Sequence, residues 1–177
     1  MMKKPVLNNK YNSLGNDSRY FVITGGRGSG KSFAITTFLA FLTFEQGHKI
    51  LFTRYTMISA ANSIIPEFLE KLELYGIMEH FRITKDEILN TSTGSSILFK
   101  GIRTSAGNQT AALKSISGIT TWVLDEAEEL IKEEDFDKID QSVRSKSKPN
   151  RVMMILNPTT KEHWIYQRFF AGKGVNP

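Results

Sequence analysis

Gly25-Gly26-Arg27-Gly28-Ser29-Gly30-Lys31-Ser32 lies between an apolar, β-rich run, Tyr20-Phe21-Val22-Ile23-Thr24, and a stretch from Ser32 to Glu45 whose apolar residues fall at 34, 35, 38, 39, 41 and 42. The eight residues fit the spacing G-x-x-x-x-G-K-[ST], which arises by chance in roughly one chain of this length in two hundred. The first flank reads as a strand and the second, by its period, as a helix. Strand, loop, helix is the setting in which this spacing binds phosphate. Glycines let the backbone fold into a nest of N–H groups, and the helix N-terminus adds partial positive charge at the same place. The phosphate contacts of a nucleoside triphosphate are therefore assigned to Gly25, Gly26, Arg27, Gly28, Ser29, Gly30, Lys31 and Ser32. Lys31 is placed to reach the β- and γ-phosphates and the Ser32 hydroxyl to ligate Mg²⁺.

The chain has 177 residues, 40% hydrophobic and 23% charged, enough for one α/β domain with its own core. It contains no cysteine, which excludes disulfides and thiolate metal sites and fits an intracellular setting. No apolar run is long enough to span a bilayer, so no membrane partner is expected. The net charge of +5 leans toward a polyanionic partner. His48, His80 and His163 lack metal-ligand spacing, and Trp122 and Trp164 read as core.

Beyond the first helix, Lys49-Ile50-Leu51-Phe52-Thr53-Arg54 reads as a second strand. Residues 59–75 read as a helix that Pro66 starts or kinks. Residues 81–100 alternate as a β-meander turning at 90–95, and 104–109 form a polar loop. Thr120-Thr121-Trp122-Val123-Leu124-Asp125 and Arg151-Val152-Met153-Met154-Ile155-Leu156 have the pattern of buried strands. Residues 128–144 read as mostly helical and 162–170 as a short amphipathic helix. Strands alternating with helices imply an α/β fold, a mainly parallel central sheet flanked by helices, with the meander inserted or at an edge. Residues 1–18 read as a loosely ordered lead-in, 19–171 as the domain, and 172–177 as the start of a linker to a further domain.

Ligands in such sheets bind beyond the carboxyl ends of the strands, where the glycine loop, Asp125 and Asn157 can converge. Asp125 is placed there to hold Mg²⁺ opposite Ser32, and Glu126 to polarise an attacking water. The alternative is a pair of surface acids opening a helix; the phosphate loop upstream decides for the catalytic pair. Glu128 and Glu129 read as helix-dipole partners and solvated surface. Asn157, before Pro158, can read the γ-phosphate or the lytic water. Arg27 can supply positive charge to the transition state in cis, as an arginine finger worth about a thousandfold or more in rate.

Taken together, the Arg-containing glycine loop, Leu51-Phe52-Thr53-Arg54, Trp122-Val123-Leu124-Asp125-Glu126-Ala127-Glu128-Glu129, Leu156-Asn157-Pro158-Thr159 and His163-Trp164-Ile165-Tyr166 resemble the large terminase subunit of tailed bacteriophages over residues from about 20 to 170. The resemblance implies a P-loop NTPase domain of the ASCE/RecA-like kind. It implies ATP hydrolysis with Mg²⁺ that drives double-stranded DNA through the portal into a procapsid, in a homo-oligomeric ring, commonly a pentamer, that works with a small terminase subunit in the host cell cytoplasm. It also implies a C-terminal nuclease domain, so that DNA cleavage is not expected of this segment. A basic residue from a neighbouring subunit acts on the γ-phosphate. The resemblance points to Lys114, with Arg103 and Arg144 as rivals, and Arg54 as a second-strand residue near the nucleotide. The base contact is expected before the first strand, from Tyr11, Asn12 or Arg19. The alternative function is a helicase-like DNA-dependent ATPase, since Asp125-Glu126-Ala127-Glu128 resembles a DExx box. Against it, Asn157-Pro158-Thr159 stands where such enzymes carry a Ser-Ala-Thr-like segment. A small-molecule or nucleotide kinase would need an acceptor pocket and a basic lid and usually lacks a Glu beside the Mg²⁺-holding Asp, and a non-hydrolysing nucleotide switch or assembly module would bind ATP without turnover.

Overall fold

A computed structural model of the protein describes residues 6–56, 64–104, 107–158 and 160–174. In chain order its strands and helices are β1 (Tyr20–Thr24), α1 (Lys31–Leu42), β2 (Lys49–Thr56), α2 (Ile65–Leu74), β3 (Phe81–Ile83), β4 (Glu87–Asn90), β5 (Ser96–Thr104), β6 (Gly107–Asn108), α3 (Thr110–Lys114), β7 (Thr121–Asp125), α4 (Glu133–Asp140), β8 (Arg151–Leu156) and α5 (Trp164–Phe169). They build one sheet in the order β1-β8-β7-β2-β5-β4-β3, with β6 pairing back on β5. The first five are parallel neighbours; β4, β3 and β6 are antiparallel additions at one side.

The unbroken apolar strands follow from burial on both faces. Successive side chains alternate across the sheet. Ile50, Phe52, Val123, Met153 and Ile155 pack with α1 and α2. Leu51, Trp122, Leu124, Val152, Met154 and Leu156 pack on the other face with Leu113 of α3, Phe136 and Ile139 of α4 and Ile165 of α5. Rings fix each layer: Phe52, Phe68 and Phe99 meet at 5.5–5.8 Å, and Phe136 lies between Trp122 (5.1 Å) and Trp164 (4.8 Å). Both tryptophans are therefore core, as read. Pro66 does stand in the first turn of α2, with Glu67 beside it and Lys71 in the last turn, charges that suit the helix dipole. Among the described residues no helix is long and apolar enough to cross a membrane.

Three local expectations change. Residues 9–15, expected to be loose, form a 3-10 helix that buries Tyr11 and Leu14, because both join the apolar layer over α1. The helix expected over 128–144 is shorter: a 3-10 turn at Ala127–Glu129, an extended Leu130, then α4. Tertiary partners take the carbonyls that a continuous helix would use. Trp164 Nε1 donates to Leu130 O at 2.5 Å and a His163 ring nitrogen to Glu128 O at 3.1 Å. The Arg19 guanidinium caps the far end of α4, donating to the carbonyls of Asp140 (3.1 Å) and Val143 (3.2 Å). Within the loop expected at 104–109, Gly107 and Asn108 form strand β6, antiparallel to β5, and residues 105–106 lie outside the described residues. The beginning of the helix expected over 59–75 lies outside the described residues, as do 1–5 of the lead-in and 175–177 of the expected linker.

Candidate active site

The strand order decides where the chemistry is. β8 lies between β1 and β7, and β2 flanks β7 on the far side. Across the carboxyl ends of these four strands lie, in order, the glycine loop, Asn157, Asp125 with Glu126, and Arg54. They line one cleft of about 340 Å³. This is the crevice beyond the strand ends where parallel sheets bind ligands.

The loop conformation needs its glycines. A Cβ on Gly25 (φ 152°) would sit 2.9 Å from Ser29 Oγ, and Gly30 enters α1 at φ 80°. The buried Lys31 ammonium donates to the carbonyls of Gly25 and Gly26 (the latter at 3.0 Å) and reaches Ser29 Oγ and Asn157 Oδ1, each at 3.4 Å. Gly25 and Gly26 thus form the back of the loop, while residues from Arg27 to Ser32 face the cleft. Arg27 is exposed along its rim. The lead-in braces the loop from outside: Lys10 Nζ and Tyr11 Oη both donate to Ser29 O, at 3.1 and 3.2 Å. Of the three residues expected near the base, Tyr11 is therefore beside the loop. Arg19 is bound to Asp140 at 2.7 Å, and Asn12 is exposed.

Asp125 is 4% exposed and caps no helix. Arg54 takes it by two bonds to Oδ2, from Nε (2.9 Å) and from a terminal nitrogen (2.8 Å), and reaches Glu126 Oε1 at 3.2 Å. Burial pushes the Asp125 carboxyl above the usual carboxylate range, while the Arg54 charge pulls the other way. Glu67 and Glu129 are raised by the same cause, burial, reinforced by the charges of Asp125 and Glu126 respectively. Glu126 has φ 51°, a left-handed conformation shared by no other non-glycine residue among those described. Such backbone costs about 1–3 kcal/mol and persists where the surroundings enforce it, commonly at functional sites. Trp122 Nε1 donates to Thr53 Oγ1 at 2.8 Å, and Thr53 Oγ1 to Val123 O at 3.1 Å. These bonds lock β2 to β7 just beneath the ion pair.

The structure thus brings together Arg27, Lys31, Ser32, Asp125, Glu126 and Asn157. Lys114 stands exposed at the end of α3 and does not line the cleft of its own chain. Arg103 donates to Tyr55 Oη at 3.3 Å, and Arg144 is exposed. Two residues gain roles that the sequence reading did not give them. Arg54 is the counter-ion of the paired acids. Glu128, read as solvated surface, is half-buried, and its Oε1 accepts from both the Asn157 backbone N–H (3.3 Å) and Nδ2 (2.8 Å). The signal for Arg54 was its place at a strand's carboxyl end; nothing local marked Glu128. Ser32 and Asp125 offer hard oxygen ligands across one cleft, a donor set that suits Mg²⁺ completed by phosphates and water.

A sequence profile of the phage terminase large subunit family matches residues 17–174. No curated protein matches the chain. Among solved structures, the large terminase from a thermophilic bacteriophage superposes with a TM-score of 0.67 at 14% identity, covering 86% of this chain and 37% of that one. The large terminase ATPase domain of Thermus phage P74-26 gives 0.62 at 18% identity, covering 84% and 62%. The viral genome packaging motor assembly of bacteriophage Phi-29 gives 0.61 at 15%, covering 89% and 49%. The chain therefore spans between about a third and two thirds of the length of these neighbours.

Proposed function

The chain belongs to the phage terminase large subunit family, and from that premise we propose that its cleft hydrolyses ATP to drive double-stranded viral DNA into a procapsid. The observation that carries the proposal is the convergence of the glycine loop, Asn157 and the Asp125–Glu126 pair at the ends of adjacent strands around one cleft. In this reading the loop N–H groups and the α1 N-terminus cradle the phosphates. Lys31 exchanges its carbonyl partners for phosphate oxygens, which are stronger acceptors. Ser32 and Asp125 would hold Mg²⁺, which when bound neutralises charge on the phosphates. Arg54 keeps Asp125 ionised and orients Glu126. Glu126 takes the proton of a water aimed at the γ-phosphorus, and Arg27 on the rim stabilises the charge that develops on the transferred group. Asn157, bonded to Lys31, registers whether a γ-phosphate is present.

Lys114, exposed and remote from its own cleft, serves in this proposal as the basic residue given to a neighbouring subunit. The active form is then a homo-oligomeric ring, a pentamer, docked on the portal of a procapsid in the host cell cytoplasm and served by a small terminase subunit. Contacts to DNA are mainly to phosphates and so fall steeply with salt. The test is steady-state ATP hydrolysis against protein concentration for the wild type and Lys114→Ala. Turnover per subunit that rises with concentration, and loses that rise in the variant, supports the ring. Turnover independent of concentration refutes it.

A further inference from the structure

An asparagine amide is nearly symmetric in shape but opposite in polarity at its two ends. For Asn157 to present an acceptor to the phosphate loop, its NH₂ end must be held elsewhere. Glu128 Oε1 does this, taking Nδ2 at 2.8 Å and the Asn157 backbone N–H at 3.3 Å, which leaves Oδ1 toward Lys31 Nζ at 3.4 Å. Reversal of the amide would set its donors against the ammonium and face its oxygen to the carboxylate. Glu128 is itself pinned. Its carbonyl accepts from His163 Nε2 at 3.1 Å. The His163 tautomer follows from its other nitrogen: Nδ1 accepts the Ile165 N–H at 3.2 Å and so caps α5, which puts the proton on Nε2. Glu128 Oε2 is buried without a hydrogen-bond partner among the described residues, a burial that a carboxylate tolerates poorly unless its placement serves another group. A continuous path thus joins Lys31, Asn157, Glu128 and the first turn of α5.

We propose that Glu128 is a positioning residue that fixes the polarity of the Asn157 amide and thereby lets the cleft distinguish a nucleoside triphosphate from a diphosphate. This rests on the reading of the cleft as an ATP site. Glu128 touches no phosphate and takes no proton in the reaction. It acts through Asn157 Oδ1, which is turned to the Lys31 ammonium that meets the γ-phosphate.

The test is equilibrium binding of Mg²⁺-ATPγS and Mg²⁺-ADP to the full chain, with thermal melting as the control for folding. The wild type prefers ATPγS. Glu128→Leu, which has no acceptor, lowers that preference about tenfold or more, the worth of a hydrogen bond to a charged group, and leaves ADP affinity unchanged. Glu128→Gln, which keeps an acceptor oxygen, restores most of it. Asn157→Ala matches Glu128→Leu, and the two together do no more than either alone. Should Glu128→Leu fail to fold, exchanging the pair decides: Asn157→Asp alone loses the preference because two carboxylates face each other, and adding Glu128→Gln recovers it. A preference in Glu128→Leu equal to the wild type, a Gln variant no better than Leu, or an exchanged pair that recovers nothing overturns the inference. A wild type that binds neither nucleotide instead overturns the ATP-site reading on which it rests.

Discussion

Replacing Arg54 with Met removes the counter-ion of a carboxylate that is 4% exposed while keeping most of the apolar stem of the side chain. Two of the bonds lost go to the buried Asp125 and one to Glu126, whose side chain is 37% exposed. The arm to Glu126 is worth little. The arm to Asp125 is a buried pair, and stranding one partner costs about 3–5 kcal/mol. Because the cleft opens beside the pair, the lower end applies: about 3 kcal/mol at pH 8. The loss depends on pH. Burial already raises the Asp125 carboxyl and Arg54 opposes the rise, so the variant's carboxyl lies higher still. A folded-state value above the unfolded one favours the fold at low pH and penalises it as pH climbs through the folded value. The deficit of Arg54→Met is therefore largest at pH 8 and smaller at pH 5. Adding Asp125→Asn removes the stranded charge and returns the stability to within about 1 kcal/mol of the wild type. Urea unfolding at the two pH values measures all three. A loss under about 1 kcal/mol, an equal loss at both pH values, or no recovery in the double variant would rule out Arg54 as the counter-ion that Asp125 depends on.

Gly25→Ala puts a Cβ 2.9 Å from Ser29 Oγ at φ 152°; ATPγS affinity should drop at least about tenfold through the distorted loop, and calorimetry showing wild-type affinity would contradict this. Phe136→Ala empties the space between Trp122 and Trp164 and should cost about 3–5 kcal/mol in urea unfolding, against less than about 1 kcal/mol for Lys100→Ala, which breaks the exposed pair with Asp86. His48 is buried beside Thr120 and Glu45, and burial, aided by Lys148 and Arg151, lowers its titration below the ordinary 6.5. Its neutral form is thus favoured in the fold, so the wild type loses stability as pH falls below 6.5. His48→Gln should lose less over pH 7 to 5, and parallel profiles for the two proteins would sink the argument.

The parts of the fold that could be read from the chain are those whose environment is simple. β7 and β8 lie inside the sheet with both faces covered, so the residues between their ends must be apolar. The glycine loop is legible because its backbone geometry and its lysine are demanded by local chemistry alone. Asp125, Glu126 and Asn157 could be placed because strand ends in a parallel sheet share one rim. What could not be read depends on partners far away in sequence. Tyr11 and Leu14 are isolated among polar residues, and only the apolar layer they join, built from several elements, makes them core. The 128–144 segment has helical composition, yet Trp164, His163 and Arg19 claim its carbonyls. Arg54 becomes a counter-ion only when β2 is laid beside β7. Glu128 looks like one more acid in Glu128-Glu129 until β8 brings Asn157 to it.

Catalysis by Glu126 in an ATP-binding cleft is tested most directly by ATP binding and hydrolysis by the chain and by Glu126→Gln, with Mg²⁺ present. Both proteins should bind ATP with similar affinity and only the wild type should turn it over, because Gln cannot take the proton of the attacking water. Hydrolysis by Glu126→Gln at the wild-type rate, or no ATP binding by the wild type, would contradict it.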